Sequence, residues 1–194
     1  MRLLRWTHNN ERGIHMDTGI ILVGPPCCGK STIGRKVARG LGIDYISSGD
    51  IAREMALENK DVRVSLDRGM MAPEYEMRMR VYNMIKDRKC GAFVLDGFPR
   101  TVGQMYFLEK YIRNIRWTII MFTVDKDQLI ERAKSRGRSD DGSFNYRYNF
   151  YCNLTMEMVD YTINNHHNVC IVDNSDGKYE EAVHTVIELL GTEV

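Results

Sequence analysis

The run Gly24-Pro25-Pro26-Cys27-Cys28-Gly29-Lys30-Ser31-Thr32 has the residue types and spacing of a phosphate cradle. In such a loop, backbone N–H groups surround phosphate oxygens at a helix start, Lys30 adds a mobile cation, and the Ser31 hydroxyl can ligate Mg²⁺. The pattern assigns Gly24, Pro26, Cys27, Cys28, Gly29, Lys30, Ser31 and Thr32 to a nucleoside triphosphate. The competing reading is a glycine-rich turn with a solvated Lys30. It needs every fixed position to match by coincidence, in the strand, loop and helix setting where the motif belongs.

Further candidates stand just beyond two other apolar runs. Asp96 follows Val94-Leu95, where a carboxylate can hold a water of the Mg²⁺ shell, and Asp50 in Ser47-Ser48-Gly49-Asp50 is a second such candidate. A turn role before Gly97 is the alternative for Asp96. Arg53 and Arg100 carry the planar donors that grip a phosphate bidentately, with exposed ion pairing as the alternative. Thr101 and Gln104 have the spacing of a capping box. Arg132 and Arg136 lie four apart, on one face of an expected helix, and Arg138 and Arg147 follow. Four converging guanidinium groups call for anions; the alternative is a solvated basic face paired with Glu131, Asp140 and Asp141. His166 and His167 have no partner at metal-ligand spacing and read as surface or turn residues.

These positions need a scaffold, and the chain supplies an alternation. Short β-branched or aromatic runs at Gly19–Val23, Ile43–Ile46, Ala92–Leu95, Thr118–Val124 and Val169–Val172 are each followed by a stretch of helical period. Five strands with helical crossovers predict an α/β fold with a parallel sheet covered on both faces. In the last helix Tyr179, Ala182, Val183, Val186, Ile187 and Leu190 share a stripe. Another helix opens near Pro73 and is expected to bury Met77, Val81, Met84 and Ile85. Right-handed crossovers then bring all the strand ends to one edge, where open α/β sheets bind ligands.

The chain has 194 residues with 27 Lys and Arg against 26 Asp and Glu, a balance that argues against nucleic-acid or membrane-surface partners. Of those cations 18 are Arg, the residue suited to oxyanions. No apolar run approaches the roughly 20 residues of a membrane span. Five cysteines, Cys27, Cys28, Cys90, Cys152 and Cys170, include no Cys-x-x-Cys pair, so a reducing, cytoplasmic setting is expected rather than a disulfide framework or a zinc site. Residues 1–15, ahead of Met16, read as a tail or a short presequence.

Taken in order, the phosphate loop, Ser47-Ser48-Gly49-Asp50-Ile51-Ala52-Arg53 and Asp96-Gly97-Phe98-Pro99-Arg100-Thr101-Val102-Gly103-Gln104 resemble the adenylate kinases of the nucleoside monophosphate kinase family. The likeness runs from about Gly19 to the C-terminus. It implies a P-loop three-layer fold: a five-stranded parallel sheet, a helical monophosphate-binding insertion at about 48–77 and a very short lid at about 137–146, all within a domain spanning 16–194. The implied activity is Mg²⁺-dependent transfer of a phosphoryl group from ATP to AMP, giving two ADP, by a cytoplasmic monomer acting on small-molecule nucleotides without zinc. Alternatives are a UMP/CMP kinase on the same scaffold and a degenerate P-loop nucleotide-binding protein. Thr101 and Gln104 favour AMP, since the pyrimidine kinases have Asn directly after the arginine.

By resemblance, Ser48, Gly49, Arg53, Met70, Ala72, Gly97, Arg100 and Gln104 bind AMP, with Gln104 reading the adenine; Met70 and Met71 have core packing as their alternative. Arg132 lies against the adenine of ATP and Arg136 at its phosphates. Lys30, Arg100, Arg136, Arg138 and Arg147 form the catalytic set, and Ser31, Asp50 and Asp96 the metal set. No general base is required, because an acceptor phosphate with a second pKa of about 6 is already ionised near neutrality. Three positions depart from the family: Cys27 and Ser31 replace glycines and Cys28 replaces a small residue. If position 27 needs positive φ, its Cβ brings strain. A thiol beside Lys30 and amide donors is a candidate for oxidation that blocks ATP binding. The short lid is expected to exclude water less well and allow some ATP hydrolysis without acceptor.

Overall fold

The computed structural model describes residues 17–89, 91–136 and 144–190. The tail at 1–15, Cys90, Arg138, residues 137–143 of the expected lid with Asp140 and Asp141, and the side chain of Arg136 lie outside the described residues.

Five strands, β1 (Asp17–Val23), β2 (Asp44–Ser47), β3 (Ala92–Asp96), β4 (Ile115–Thr123) and β5 (Asn168–Asp173), form one sheet in the order β2-β3-β1-β4-β5. Every pairing is parallel. The fold is the expected P-loop α/β architecture. Nine α-helices are described: α1 (Lys30–Leu41), α2 (Ser48–Glu58), α3 (Lys60–Asp67), α4 (Glu74–Lys86), α5 (Val102–Tyr111), α6 (Lys126–Arg136), α7 (Phe144–Phe150), α8 (Met156–Asn164) and α9 (Tyr179–Leu189). A π-helical turn, Tyr151–Thr155, joins α7 to α8. No helix among the described residues is long and apolar enough to cross a membrane.

Alternation along β1 divides the core into two layers. Ile21 and Val23 face one layer with Phe93, Leu95 and Ile119, closed by Met55 of α2, Val81 and Ile85 of α4, Leu108 of α5 and Met158 of α8. Ile20 and Leu22 face the other with Val94, Ile120 and Phe122, closed by Ile33 and Val37 of α1, Leu129 of α6 and Val186 of α9. Helices on both faces explain why β1 and β3 read as nearly continuous apolar runs rather than alternating ones.

Local signals set the helix ends that matter for the site. Ser47 caps α2, its hydroxyl accepting from the Asp50 N–H at 3.2 Å, and Thr101 caps α5 by accepting from the Gln104 N–H at 3.3 Å. Pro73 is the cap of α4 rather than its first helical residue. Met84, expected in the core, is 43% exposed, because the apolar stripe of α4 narrows to Met77, Val81 and Ile85. β4 starts three residues before the apolar run expected from Thr118, since parallel pairing with β1 extends it back to Ile115. β5 lies at a sheet edge, so Ile171 in its apolar run is exposed.

Candidate active site

The carboxyl ends of β1, β2 and β3 open into a cleft of about 1050 Å³. Its walls include Gly24, Pro26, Cys27, Lys30 and Ser31 from the loop after β1, Ser48, Gly49, Asp50 and Arg53 from α2, and Asp96, Gly97, Arg100 and Gln104 after β3. Met70, Met71 and Ala72, ahead of α4, and Arg147 of α7 face the same space. Met70 is 47% exposed, so it borders the cleft rather than filling the core.

Asp96 sits at the bottom, 4% exposed. Its Oδ2 accepts hydrogen bonds from Ser31 Oγ at 2.5 Å and Tyr45 Oη at 2.6 Å. Its Oδ1 is buried without a hydrogen-bond partner among the described residues. An orphaned carboxylate oxygen beside a hydroxyl is costly unless a donor or cation completes it. Hard oxygen ligands in this number suit Mg²⁺, which keeps most of its waters and its substrate phosphates and takes little from the protein. Among the described residues no group of three or more His, Cys, Asp or Glu is arranged to hold a metal ion.

Asp50, the third expected metal ligand, is ion-paired. Its carboxylate pairs with Arg35 at 2.7 Å and with Arg53. Burial opposes its ionisation, but the Arg53 hydrogen bond and the charge of Arg35 outweigh burial and hold its carboxyl below the ordinary value. Two guanidinium groups occupy its oxygens, while the other two expected metal ligands, Ser31 and Asp96, are hydrogen-bonded to each other.

Gly97 organises the opposite wall. Its carbonyl accepts from Ser48 Oγ at 2.7 Å and from Arg100 Nε at 2.6 Å. Its φ is +74°, and a Cβ there would stand 2.6 Å from Ser48 Oγ, so glycine alone lets both donors approach. Burial pushes the Arg100 guanidinium below its ordinary pKa; the Asp96 charge opposes this and the nearby Arg147 charge adds to it. Two arginines and a buried carboxylate thus act on one another at the cleft wall. Gln104 is 1% exposed and its Oε1 accepts from the Arg100 N–H at 2.8 Å. Half of the capping box therefore forms, with the Gln104 side chain reaching the residue before the cap instead of the cap itself.

Residues 23–145 match a protein-family model described as an AAA domain. An adenylate kinase from Mycolicibacterium vanbaalenii is 34% identical over 155 residues, covering 73% of this chain and 84% of that protein. One from Corynebacterium glutamicum is 30% identical over 183 residues, 89% of this chain and 98% of that protein. The chain belongs to the adenylate kinase family.

Its departures from the family's usual loop now have a geometry. Cys27 adopts φ of +66°, so the expected strain is present and the thiol borders the cleft. Cys28 turns the other way: its side chain is fully buried in the core layer of α1 and α9, and burial raises its thiol pKa despite the Lys30 charge. Burial thus disfavours the thiolate at Cys28, and its backbone braces the loop, with N–H donating to Pro25 O at 3.3 Å. Lys30 Nζ donates to the same Pro25 carbonyl at 3.3 Å. Gly29, at φ of +91°, leaves room for Tyr179, which a Cβ would approach to 2.5 Å. Thr32 is exposed and lies outside the cleft wall.

Arg132, expected against the adenine, is fixed by its edge. Its Nη2 donates to the carbonyls of Asn174 at 2.8 Å and Ser175 at 3.0 Å, bracing the segment between β5 and α9. His167 is more than a surface residue, since its Nε2 lies 2.7 Å from Glu109 Oε1.

Several residues of the site carry no signal in the sequence. Tyr45 belongs to a short apolar run, and only the pairing of Tyr45 with Val94 puts it on the sheet face of Asp96. Arg35 lies on a regular helix. Tyr151 and Thr155 reach the cleft wall from the π-helical turn, a widening of the helix often found at functional sites. Asn174 is read only through its contact with the loop.

Proposed function

We propose that this chain, acting with Mg²⁺, transfers the γ-phosphoryl group of ATP to AMP and yields two ADP. The observation that carries the reading is one cleft flanked by two anion-binding walls, Lys30 with the Ser31–Asp96 pair on one and Arg100 on the Gly97 carbonyl on the other.

The work divides between those walls. The loop from Gly24 to Ser31 holds the donor phosphates, with Lys30 leaving the Pro25 carbonyl to follow the charge as it moves. Mg²⁺, when bound, neutralises charge on the phosphates, and Ser31 with Asp96 would hold it through the hydroxyl and through Oδ1. Arg53 and Arg100 grip the acceptor phosphate, already nucleophilic with a second pKa of about 6. Arg147 adds positive charge between donor and acceptor, and Arg136 and Arg138, assigned from sequence alone, join it at the transferring group. Ser48, Gly49, Met70, Ala72 and Gln104 hold the acceptor nucleoside, and the Gln104 amide reads the adenine edge. Catalysis is then alignment of two nucleotides and charge neutralisation, with no side chain removing a proton.

We assign α2, α3 and the first turn of α4, about 48–77, to the acceptor-binding insertion of a domain spanning 16–194. The even charge balance supports small nucleotides over nucleic acid or membrane as partners, and the cysteine usage supports the cytoplasm. Supplying ATP and Mg²⁺ with AMP, UMP, CMP or GMP and quantifying the diphosphates tests the assignment. ADP formation with AMP far above the other products is expected; a preference for UMP or CMP would overturn it, as would no product with any acceptor.

A further inference from the structure

Asp96 Oδ2 receives two donors, Ser31 Oγ at 2.5 Å and Tyr45 Oη at 2.6 Å, while Oδ1 is buried with none among the described residues. A carboxylate oxygen offers about two lone-pair sites, so Oδ2 is filled and Oδ1 is the oxygen left for another donor. The Tyr45 hydroxyl donates to Oδ2 from a different strand than the one that carries Asp96. The ring also carries a load: the Arg35 guanidinium lies 5.0 Å from its centroid. Arg35 binds Asp50 at 2.7 Å, and Asp50 in turn binds Arg53. One tyrosine thus stands between the carboxylate of the donor side and an arginine of the acceptor side.

We infer that Tyr45 is a positioning residue for Asp96, its hydroxyl holding Oδ2 so that Oδ1 is presented to the metal and its water shell. The inference rests on the assignment of Asp96 to the metal. Ser31 cannot do this work alone, because its hydroxyl oxygen faces the same cleft and is itself a candidate ligand. Among the described residues the Tyr45 hydroxyl donates to Asp96 Oδ2. Without the phenol, the carboxylate gains freedom to turn either oxygen toward the cleft, and the metal loses a fixed partner.

The test uses the full chain saturated with a non-hydrolysable ATP analogue, and Mn²⁺ as the probe, its free concentration read by electron paramagnetic resonance. Tyr45→Phe keeps the ring and its contact with Arg35. It is expected to weaken Mn²⁺ about tenfold and raise the Mg²⁺ concentration needed for half-maximal kcat, with KM for AMP changed less than about twofold. Unchanged Mn²⁺ affinity overturns the inference, whatever happens to the melting temperature, because a purely structural tyrosine would move the latter alone. Asp96→Asn is measured beside it. If that variant also leaves Mn²⁺ affinity unchanged, the assignment of Asp96 fails; if it alone weakens binding, only the role of Tyr45 fails.

Discussion

Asn174 Nδ2 donates to the Cys28 carbonyl at 2.8 Å, joining the end of β5 to the phosphate loop. Asn174 is 2% exposed, and its own carbonyl accepts from Arg132. The loop's shape is thus held from behind by a residue far along the chain, leaving its front free for phosphate. Asn174→Ala removes the donor and leaves the Cys28 carbonyl buried and unsatisfied, at a cost of about 1–3 kcal/mol. A lower melting temperature together with a raised KM for ATP is expected in thermal unfolding and steady-state assays. A melting temperature unchanged from the parent would show that the loop keeps its shape without the brace.

Ser31 stands where the family has glycine, and its hydroxyl meets Asp96. Ser31→Ala is expected to weaken Mg²⁺-dependent turnover by about tenfold, as loss of a ligand-orienting hydrogen bond does. Titrating Mg²⁺ against kcat checks this, and identical curves for the two proteins would reduce Ser31 to a structural contact.

Cys27 at φ of +66° pays for a Cβ in the left-handed region. Cys27→Gly relieves that strain, worth about 1 kcal/mol after the extra chain entropy of glycine is counted. A rise in melting temperature of about 2–4 °C follows for a chain of this size. Differential scanning calorimetry of the two proteins decides it, and a fall in melting temperature would mean that Cys27 makes contacts worth more than its strain.

Arg100 feels the charges of Asp96 and Arg147, and its Nε donates to the Gly97 carbonyl. Arg100→Ala is expected to lower kcat by about 10²–10³-fold, the loss typical of a preorganised charge stabiliser. Arg100→Lys should recover little, since an ammonium cannot hold the Gly97 carbonyl and grip a phosphate with a planar fork. Parent-like turnover in either variant would remove Arg100 from the site.

Asp50 titrates below its ordinary value of 3.8, held there by Arg53 and Arg35 against the effect of burial. Its folded pKa lies below its unfolded one, so the stability it contributes is present above the unfolded value and is lost as pH falls through the folded value. The stability difference between the parent and Asp50→Asn, measured by urea unfolding, should therefore be steady from neutrality down to the ordinary carboxylate range and shrink below it. A difference that grows toward acid would contradict the ion pairs with Arg35 and Arg53.

Much of the site was legible because chain-local chemistry specifies it. The phosphate loop is a contiguous motif, and Asp96, Arg100 and Gln104 share one segment after an apolar strand. The alternation of strand and helix signals led to the parallel sheet and so to the edge where those segments meet. Partners distant in the chain were not legible. Asp50 and Arg132 have the chemistry of a metal ligand and a base-stacking cation, and each is also engaged by neighbours that no spacing rule reveals. Met84 fits a helical stripe that is narrower in the folded protein than in the sequence pattern.

The sequence by itself determined the kind of molecule: short-range periodicity, turn chemistry and a contiguous phosphate loop are properties of neighbouring residues. The tertiary structure decided which side chains act together. Strand order placed β3 between β1 and β2, and that alone brings Ser31, Tyr45 and Asp96 to one point from three separate segments. It also turned Cys28 into the core and Cys27 toward the cleft, giving adjacent thiols opposite environments. Residue type fixes what a group can donate or accept; only packing fixes what stands within reach of it.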